Sequence, residues 1–333
     1  MKMNKMFIMS LLSSFLFLSA FSCGGGTKTG TADKANGETA VSVPLFDADS
    51  AYLYIKSQVD FGPRVPNTKG HVACGNYLAS RLEKLGAQVT NQYADLIAYD
   101  GTLLKARNII GSYKPETKKR IALFAHWDTR PWADNDPDEK HHRTPILGAN
   151  DGASGVGVLL EIARLINQNQ PELGIDIIFL DAEDYGAPQF YEGEHREDAW
   201  CLGAQYWARN PHVQGYNARF GILLDMVGGE GSVFLKEGYS EHFAADINKK
   251  VWKAAKRLGY GKTFVNEPGG SVTDDHLFVN RLARIKTIDI VPYHPEGSFT
   301  PTWHTVNDTM EHIDKNTLKA VGQTVLEVIY NEK

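Results

Sequence analysis

Residues 173–180 read Leu-Gly-Ile-Asp-Ile-Ile-Phe-Leu, and the chain turns at once to Asp181-Ala-Glu183-Asp184. No other junction limits the fold as much. The β-branched, almost wholly apolar run suits a strand buried on both faces, the kind found in parallel sheets. Carboxylates crowded at the end of such a strand repel one another and lose hydration. A bound cation removes that conflict by neutralising one acid and leaving a neighbour free as a base. Ligands also collect beyond the carboxyl ends of parallel strands. The plain alternative for the octapeptide Phe179–Gly186 is a solvated loop that happens to be acidic.

Elements of two periods surround this run. A helix capped by Asp49 reaches about Val59 and is broken by Gly62-Pro-Arg-Val-Pro66. A second helix, about Lys69 to Leu85, sets Cys74, Leu78, Leu82 and Leu85 on one face before Gly86 ends it. Strands are expected near 88–93, 103–112 and 120–125, with Pro115–Lys119 as a hairpin connection. Then come helix 152–168, strand 174–180, helix 199–209, strand 219–226, helix 241–258, strand 284–290 and helix 314–331. Strands alternating with helices imply an α/β fold: one domain, a mixed central sheet and helices on both faces. With 333 residues, 42% of them hydrophobic, the chain is long enough for one large core.

That domain is expected over 43–333. Residues 1–22 read as an export signal: Lys2 and Lys5 precede a mostly apolar stretch, Phe7–Phe21, too short for a comfortable membrane span. Small residues Ser19, Ala20 and Ser22 lead to Cys23, which resembles a bacterial lipoprotein signal; a plain secretory signal is the alternative. The lipoprotein reading implies an exported chain, held to a membrane by lipid on Cys23 and facing the periplasm. Residues 23–42 are small, polar and aperiodic, a flexible tether. The net charge is −5 and no basic run occurs, which argues against nucleic acid as a partner. Cys74 and Cys201 are left, and their separation decides neither for nor against a bridge.

The chemistry-bearing residues punctuate separate elements. His126 follows an apolar strand in His126-Trp-Asp128. Asp151 sits in Gly148-Ala-Asn-Asp151-Gly-Ala-Ser-Gly155 at a helix start, as an N-cap or as a metal ligand. Asp184 and Glu183 end the central strand, and Asp225 ends Phe220–Leu224. Asp274-Asp275-His276 follows Gly269-Gly270, and Phe299 and Trp303 precede His304. Singly, each reads as a turn residue, a cap or packing. Jointly, carboxylates and histidine at expected rim positions suit zinc with an open coordination position. His141, His142 and His195 read as solvated, in the polar segments 131–147 and 185–199 that border the site.

Taken as a set, His126-Trp-Asp128, the Asp151 loop, Asp181-Ala-Glu183-Asp184, Leu224-Asp225-Met and Trp303-His304-Thr resemble the zinc aminopeptidase and glutaminyl cyclase superfamily. The resemblance covers about residues 45–331. Asp274-Asp275-His276 and Phe299-x-x-x-Trp303-His304 resemble its animal-type glutaminyl-peptide cyclotransferases, including bacterial members. These convert N-terminal glutamine of peptides to pyroglutamate and release ammonia. The resemblance implies one zinc per chain on Asp151, Asp184 and His304, with Glu183 as acid/base. It implies a hydrogen-bonded pair of Asp225 and Asp274, and Trp303 and Phe299 as walls for the glutamine side chain. Asp184 stands where many peptidases of the superfamily carry Glu. The peptidases use His126 and Asp225 to help hold a second zinc, so a two-zinc aminopeptidase is the alternative.

Overall fold

Alternating apolar and polar-ended runs become strands and helices over residues 42–294 and 297–333, which the computed structural model describes. The expected signal at 1–22 and Cys23 lie outside the described residues. In chain order come α1 (Ala48–Val59), α2 (Lys69–Lys84), β1 (Gln88–Ile97), β2 (Leu103–Tyr113), β3 (Arg120–His126) and α3 (Ala153–Gln168). After them run β4 (Gly174–Leu180), α4 (Leu202–Arg209), β5 (Phe220–Leu224), β6 (Phe234–Lys236), α5 (Gly238–Arg257) and β7 (Phe264–Pro268). Last are α6 (Asp275–Phe278), which runs on as a π turn at Val279–Ala283, β8 (Thr287–Ile290) and α7 (Lys315–Asn331).

The main sheet has the order β1-β2-β4-β3-β5-β8. β1 and β2 are antiparallel, β2 meets β4 antiparallel, and β4, β3, β5 and β8 run parallel. The class is therefore the expected α/β with a mixed sheet. Side chains alternate across it as a two-residue period demands. Ile121, Leu123, Ala125, Ile175, Ile177 and Phe179 join the core under α1, α2, α3, α5 and α7. Ala122, Phe124, Ile178 and Leu180 face α4 and the α6 turn on the other side, around Trp207. β6 and β7 form a separate two-stranded ribbon, too short to stand out in the sequence.

Three local expectations are corrected. The α1 cap is Asp47, whose Oδ1 accepts from the amides of Asp49 and Ser50. Asp49 instead pairs with Lys315 at 2.6 Å. Pro115–Lys119 is no hairpin, because β4 lies between β2 and β3. The fully buried β4 needs a hydrogen-bonded neighbour on each side, and takes β2 and β3. The connection folds instead around Arg120, which donates to the carbonyls of Tyr113, Lys114 and Thr117 and forks onto Asp176 of β4. Finally, α4 starts at Leu202 rather than near 199, since Cys201 at φ 56° cannot continue a helix.

Candidate active site

The carboxyl ends of β3, β4 and β5 lie side by side, so topology alone brings together His126, the 181–184 turn and Asp225. Asp151 joins them from the loop before α3, and His304 from the loop between β8 and α7. The acidic turn is held from both sides. Asp128 accepts from the amides of Glu183 (3.1 Å) and Asp184 (3.2 Å). Asp181 points the other way, onto His71 Nε2 at 2.8 Å and the amides of Ala182 and Arg107. Of the three carboxylates at the strand end, Asp181 thus builds the turn and the other two face the site.

Asp151 is not a cap: α3 starts after Gly152 with no side-chain cap. Gly152 at φ 94° is required, because a Cβ there would stand 2.4 Å from the Asp128 carbonyl. Gly155 is required for contact, since its Cβ would meet the Leu224 carbonyl at 2.1 Å. The Asp151 carboxylate is therefore free to face His304, and Asp308 anchors its turn by accepting from the amides of Asn150 (2.7 Å) and Asp151 (2.9 Å).

His304 Nε2 stands 3.3 Å from Asp184 Oδ1 and 3.6 Å from Asp151 Oδ2. Ligands at about 2.0–2.1 Å from zinc in a tetrahedron stand about 3.3 Å apart. Asp184 Oδ2 is buried without a hydrogen-bond partner. An orphaned carboxylate oxygen is costly, and a cation relieves it. Two carboxylates and an imidazole also form a three-ligand zinc set with a place left open. The residues fit zinc.

His126 Nε2 lies 3.0 Å from Asp151 Oδ1 and 3.1 Å from Asp225 Oδ1. Burial opposes its charge, but hydrogen bonds to Asp128, Asp151 and Asp225 prevail and raise its pKa well above the ordinary histidine value. Burial, reinforced by neighbouring acids, raises Glu183 well above the carboxylate range. Burial raises Asp225 to about 7, with the charge of Asp274 adding to it. The hydrogen bond expected between Asp225 and Asp274 is not formed: Asp274 Oδ1 accepts from the Asp275 amide and Oδ2 has no partner. Burial, with the charges of Asp274 and Asp225, raises the pKa of Asp289 well above normal. The cluster of acids beside the site thus includes Asp289, which sequence reading missed.

Above these acids opens a cavity of about 370 Å³, bounded by Trp200, Tyr293, Phe299 and Trp303. Trp303 stacks on His304 (3.9 Å between ring centres), and Phe299 packs tilted against Trp303 (4.5 Å). Trp200 lies parallel to the His304 ring at 6.4 Å. Backbone strain concentrates here: Ala182, Cys201, Met226 and His304 all have φ between 49° and 56° without being glycine. Cys201, also missed, places its thiol 3.2 Å from Glu183 Oε1 and its amide on the Glu183 carbonyl. It is a free thiol, as is Cys74, so no bridge joins them. His141 and His142 clip Asp136, and His195 is exposed at the cavity rim.

The model of peptidase family M28 matches residues 108–329, from within β2 into α7, and so includes His126, Asp151, Glu183, Asp184, Asp225, Asp274 and His304. The chain belongs to peptidase family M28. Among solved M28-like structures, a Bacteroides thetaiotaomicron glutaminyl cyclase bound to N-acetylhistamine is 84% identical, over 88% of this chain and all of that one, with TM-score 0.87. A leucine aminopeptidase precursor from the same organism is also 84% identical over 88% and 100% of the two chains, with TM-score 0.86. Among relatives by sequence, the glutaminyl-peptide cyclotransferase of Bos taurus is 24% identical over 81% of this chain and 78% of its own. An aminopeptidase of Bacillus subtilis is 25% identical over 88% of this chain, and the match spans 59% of that protein's length.

Proposed function

We propose that the chain is a zinc-dependent glutaminyl-peptide cyclotransferase, closing N-terminal glutamine of peptides or proteins to pyroglutamate with release of ammonia. The observation that carries this is the aromatic cavity over a site of few metal ligands and several proton-holding carboxyls. Asp151, Asp184 and His304 would hold one zinc, which when bound supplies Lewis acidity to the γ-amide carbonyl. Trp303 and Phe299 flank the side chain and exclude water, favouring ring closure over hydrolysis. The substrate's α-amine is the nucleophile, so the attack is intramolecular and no enzyme serine or cysteine is needed. The bond from the α-nitrogen to the γ-amide carbon forms, and the bond from that carbon to the amide nitrogen breaks. Glu183 takes the proton the amine loses and returns it to the departing ammonia. Its raised pKa suits a group that must do both. Asp225 and Asp274, beside it, orient the amine.

The test is ammonia release from a glutaminyl peptide, run beside amine release from a leucyl amide. The parent enzyme is expected to do the first and little of the second. Glu183→Gln is expected to keep zinc and to slow cyclisation by at least roughly 10²-fold. The second reading, a two-zinc aminopeptidase, is favoured by one observation: His126, Asp151 and Asp225 converge as a further possible ligand group. Two tight zincs per chain with fast leucyl amide turnover would establish it.

Export and a lipid anchor on Cys23 are proposed from the sequence alone. Cys23→Ala is expected to release the protein from the membrane fraction or block its maturation. A mature N-terminus at another, unmodified residue would refute lipidation.

A further inference from the structure

Behind the zinc ligands lies a buried ion pair that the reaction does not use. Arg130 and Asp134 are 1% and 3% exposed. The guanidinium forks onto the carboxylate, Nε to Oδ1 at 2.7 Å and Nη2 to Oδ2 at 2.6 Å. Such a pair is costly to bury and adds little to stability over an apolar substitute, so its geometry is what calls for explanation. Both ends reach the zinc ligands. Asp134 Oδ1 stands 3.5 Å from His304 Nδ1, on the far side of the ring from the nitrogen that faces Asp151 and Asp184. Arg130 Nη1 stands 3.3 Å from Asp184 Oδ1 and donates to the Asp184 carbonyl at 3.1 Å.

The pair also reaches the cavity wall. The Arg130 guanidinium lies 4.7 Å from the centre of the Trp200 ring. Asp134 Oδ2 accepts from the Gln189 amide at 2.9 Å, which holds the segment after the acidic turn. The neighbouring residues fix the His304 loop in its left-handed turn: the Asn135 amide donates to the His304 carbonyl at 3.0 Å, and Asp136 accepts from the Val306 amide at 3.1 Å.

We propose that Arg130 and Asp134 act as one positioning unit, aiming His304 and Asp184 at zinc and tying the Trp200 wall of the glutamine pocket to the same frame. The proposal deepens the zinc-site reading and rests on it. A carboxylate behind a ligating imidazole fixes its tautomer and raises its basicity, and losing such a partner costs about 10–100-fold in metal affinity. Both members bear on metal and wall: Asp134 through His304 and the Gln189 amide, Arg130 through Asp184 and Trp200. A merely structural pair would lower stability and leave zinc affinity alone.

The experiment measures the zinc dissociation constant by competition with a chromogenic chelator, the melting temperature of metal-free protein, and KM and kcat with zinc saturating. Asp134→Asn is expected to weaken zinc about 10–100-fold, and to lower metal-free melting as well, because Arg130 is left buried without its partner. Arg130→Lys, which keeps charge but loses the fork, is expected to weaken zinc and also raise KM. The double variant should bind zinc no worse than about the weaker single one, as members of one unit do. Zinc affinity of folded Asp134→Asn within twofold of the parent overturns the proposal. If Asp134→Asn folds poorly, Asp134→Glu keeps the charge and moves the carboxylate by one methylene; unchanged zinc affinity there overturns it equally. Asp184→Asn and His304→Ala are measured alongside. Zinc lost in these but kept in the Asp134 variants sinks the positioning unit alone, and zinc kept in all of them sinks the ligand reading with it.

Discussion

Glu183 and Asp184 are adjacent in the chain and face different partners, because the turn between Asp181 and Asp184 is fixed by Asp181 itself and, from other segments, by Asp128 and Cys201. Cys201 offers the sharpest single-residue test. Its thiol donates to Glu183 Oε1, and burial with the nearby acids keeps it protonated, its pKa well above the ordinary thiol value. A thiol is a weak donor, so about 1 kcal/mol is at stake, roughly a fivefold effect on rate. Cys201→Ala is expected to lower kcat by about that factor while KM and zinc content hold. Steady-state kinetics with metal analysis checks it, and an unchanged kcat would remove Cys201 from the machinery. Sequence motifs pointed to Glu183, Asp184, Asp225 and His304 because acids and histidines at the ends of apolar runs are conspicuous. Cys201, Arg130 and Asp134 carried no such signal: the site residues they touch, Glu183, Asp184 and His304, lie in other segments and their own surroundings look like loop.

At the scale of elements, the α5 start is an acid-sensitive joint. Glu237 caps that helix, accepting from the amides of Tyr239 (2.9 Å) and Ser240 (2.6 Å), from Val272 and from His276. Burial pushes its pKa up, but His276 and Ser240 outweigh burial and bring it down to about 2 from 4.5. A carboxyl whose folded pKa is depressed stabilises the fold above its unfolded pKa and loses that contribution as pH falls through the folded one. The stability from Glu237 is therefore full above about pH 4.5 and gone near pH 2, and amounts to about 3 kcal/mol. Urea unfolding of metal-free parent and Glu237→Gln is expected to show their stability gap shrinking over that window. A gap that is flat with pH would contradict the assignment. The α5 boundary was misjudged in sequence for the same reason: Glu237 is an uncommon cap, recognised only once Val272 and His276 pack beside it.

For the whole molecule, zinc is expected to be part of stability as well as chemistry. Asp151 precedes α3, Asp184 follows β4, and His304 comes from a loop over 100 residues further on, so the metal ties together segments far apart in the chain. A ligand that binds only the folded state stabilises by about 4 kcal/mol when free at a thousand times its dissociation constant. Chelation should therefore lower the melting temperature and abolish ammonia release together, and added zinc should restore both. Melting that is indifferent to chelation, with zinc shown by metal analysis to be gone, would mean the orphaned Asp184 oxygen finds another partner.

The local pattern of the chain determined which segments are strands and helices, since burial on one face or both is written in a period of two or of about 3.6 and in glycines and caps within a few residues. It also marked the strand ends where carboxylates gather. The neighbours of each strand were decided only in three dimensions. β4 took the place between β2 and β3 because two-sided burial of its apolar run outweighed the short connection at 115–119. The role of Asp151 was decided there too: it looks like a cap until Gly152 frees its carboxylate for His126 and His304. The same holds for the Asp134 carboxylate behind His304. In each case the energy comes from groups far apart in the chain that desolvate one another on folding, and no window of sequence contains both.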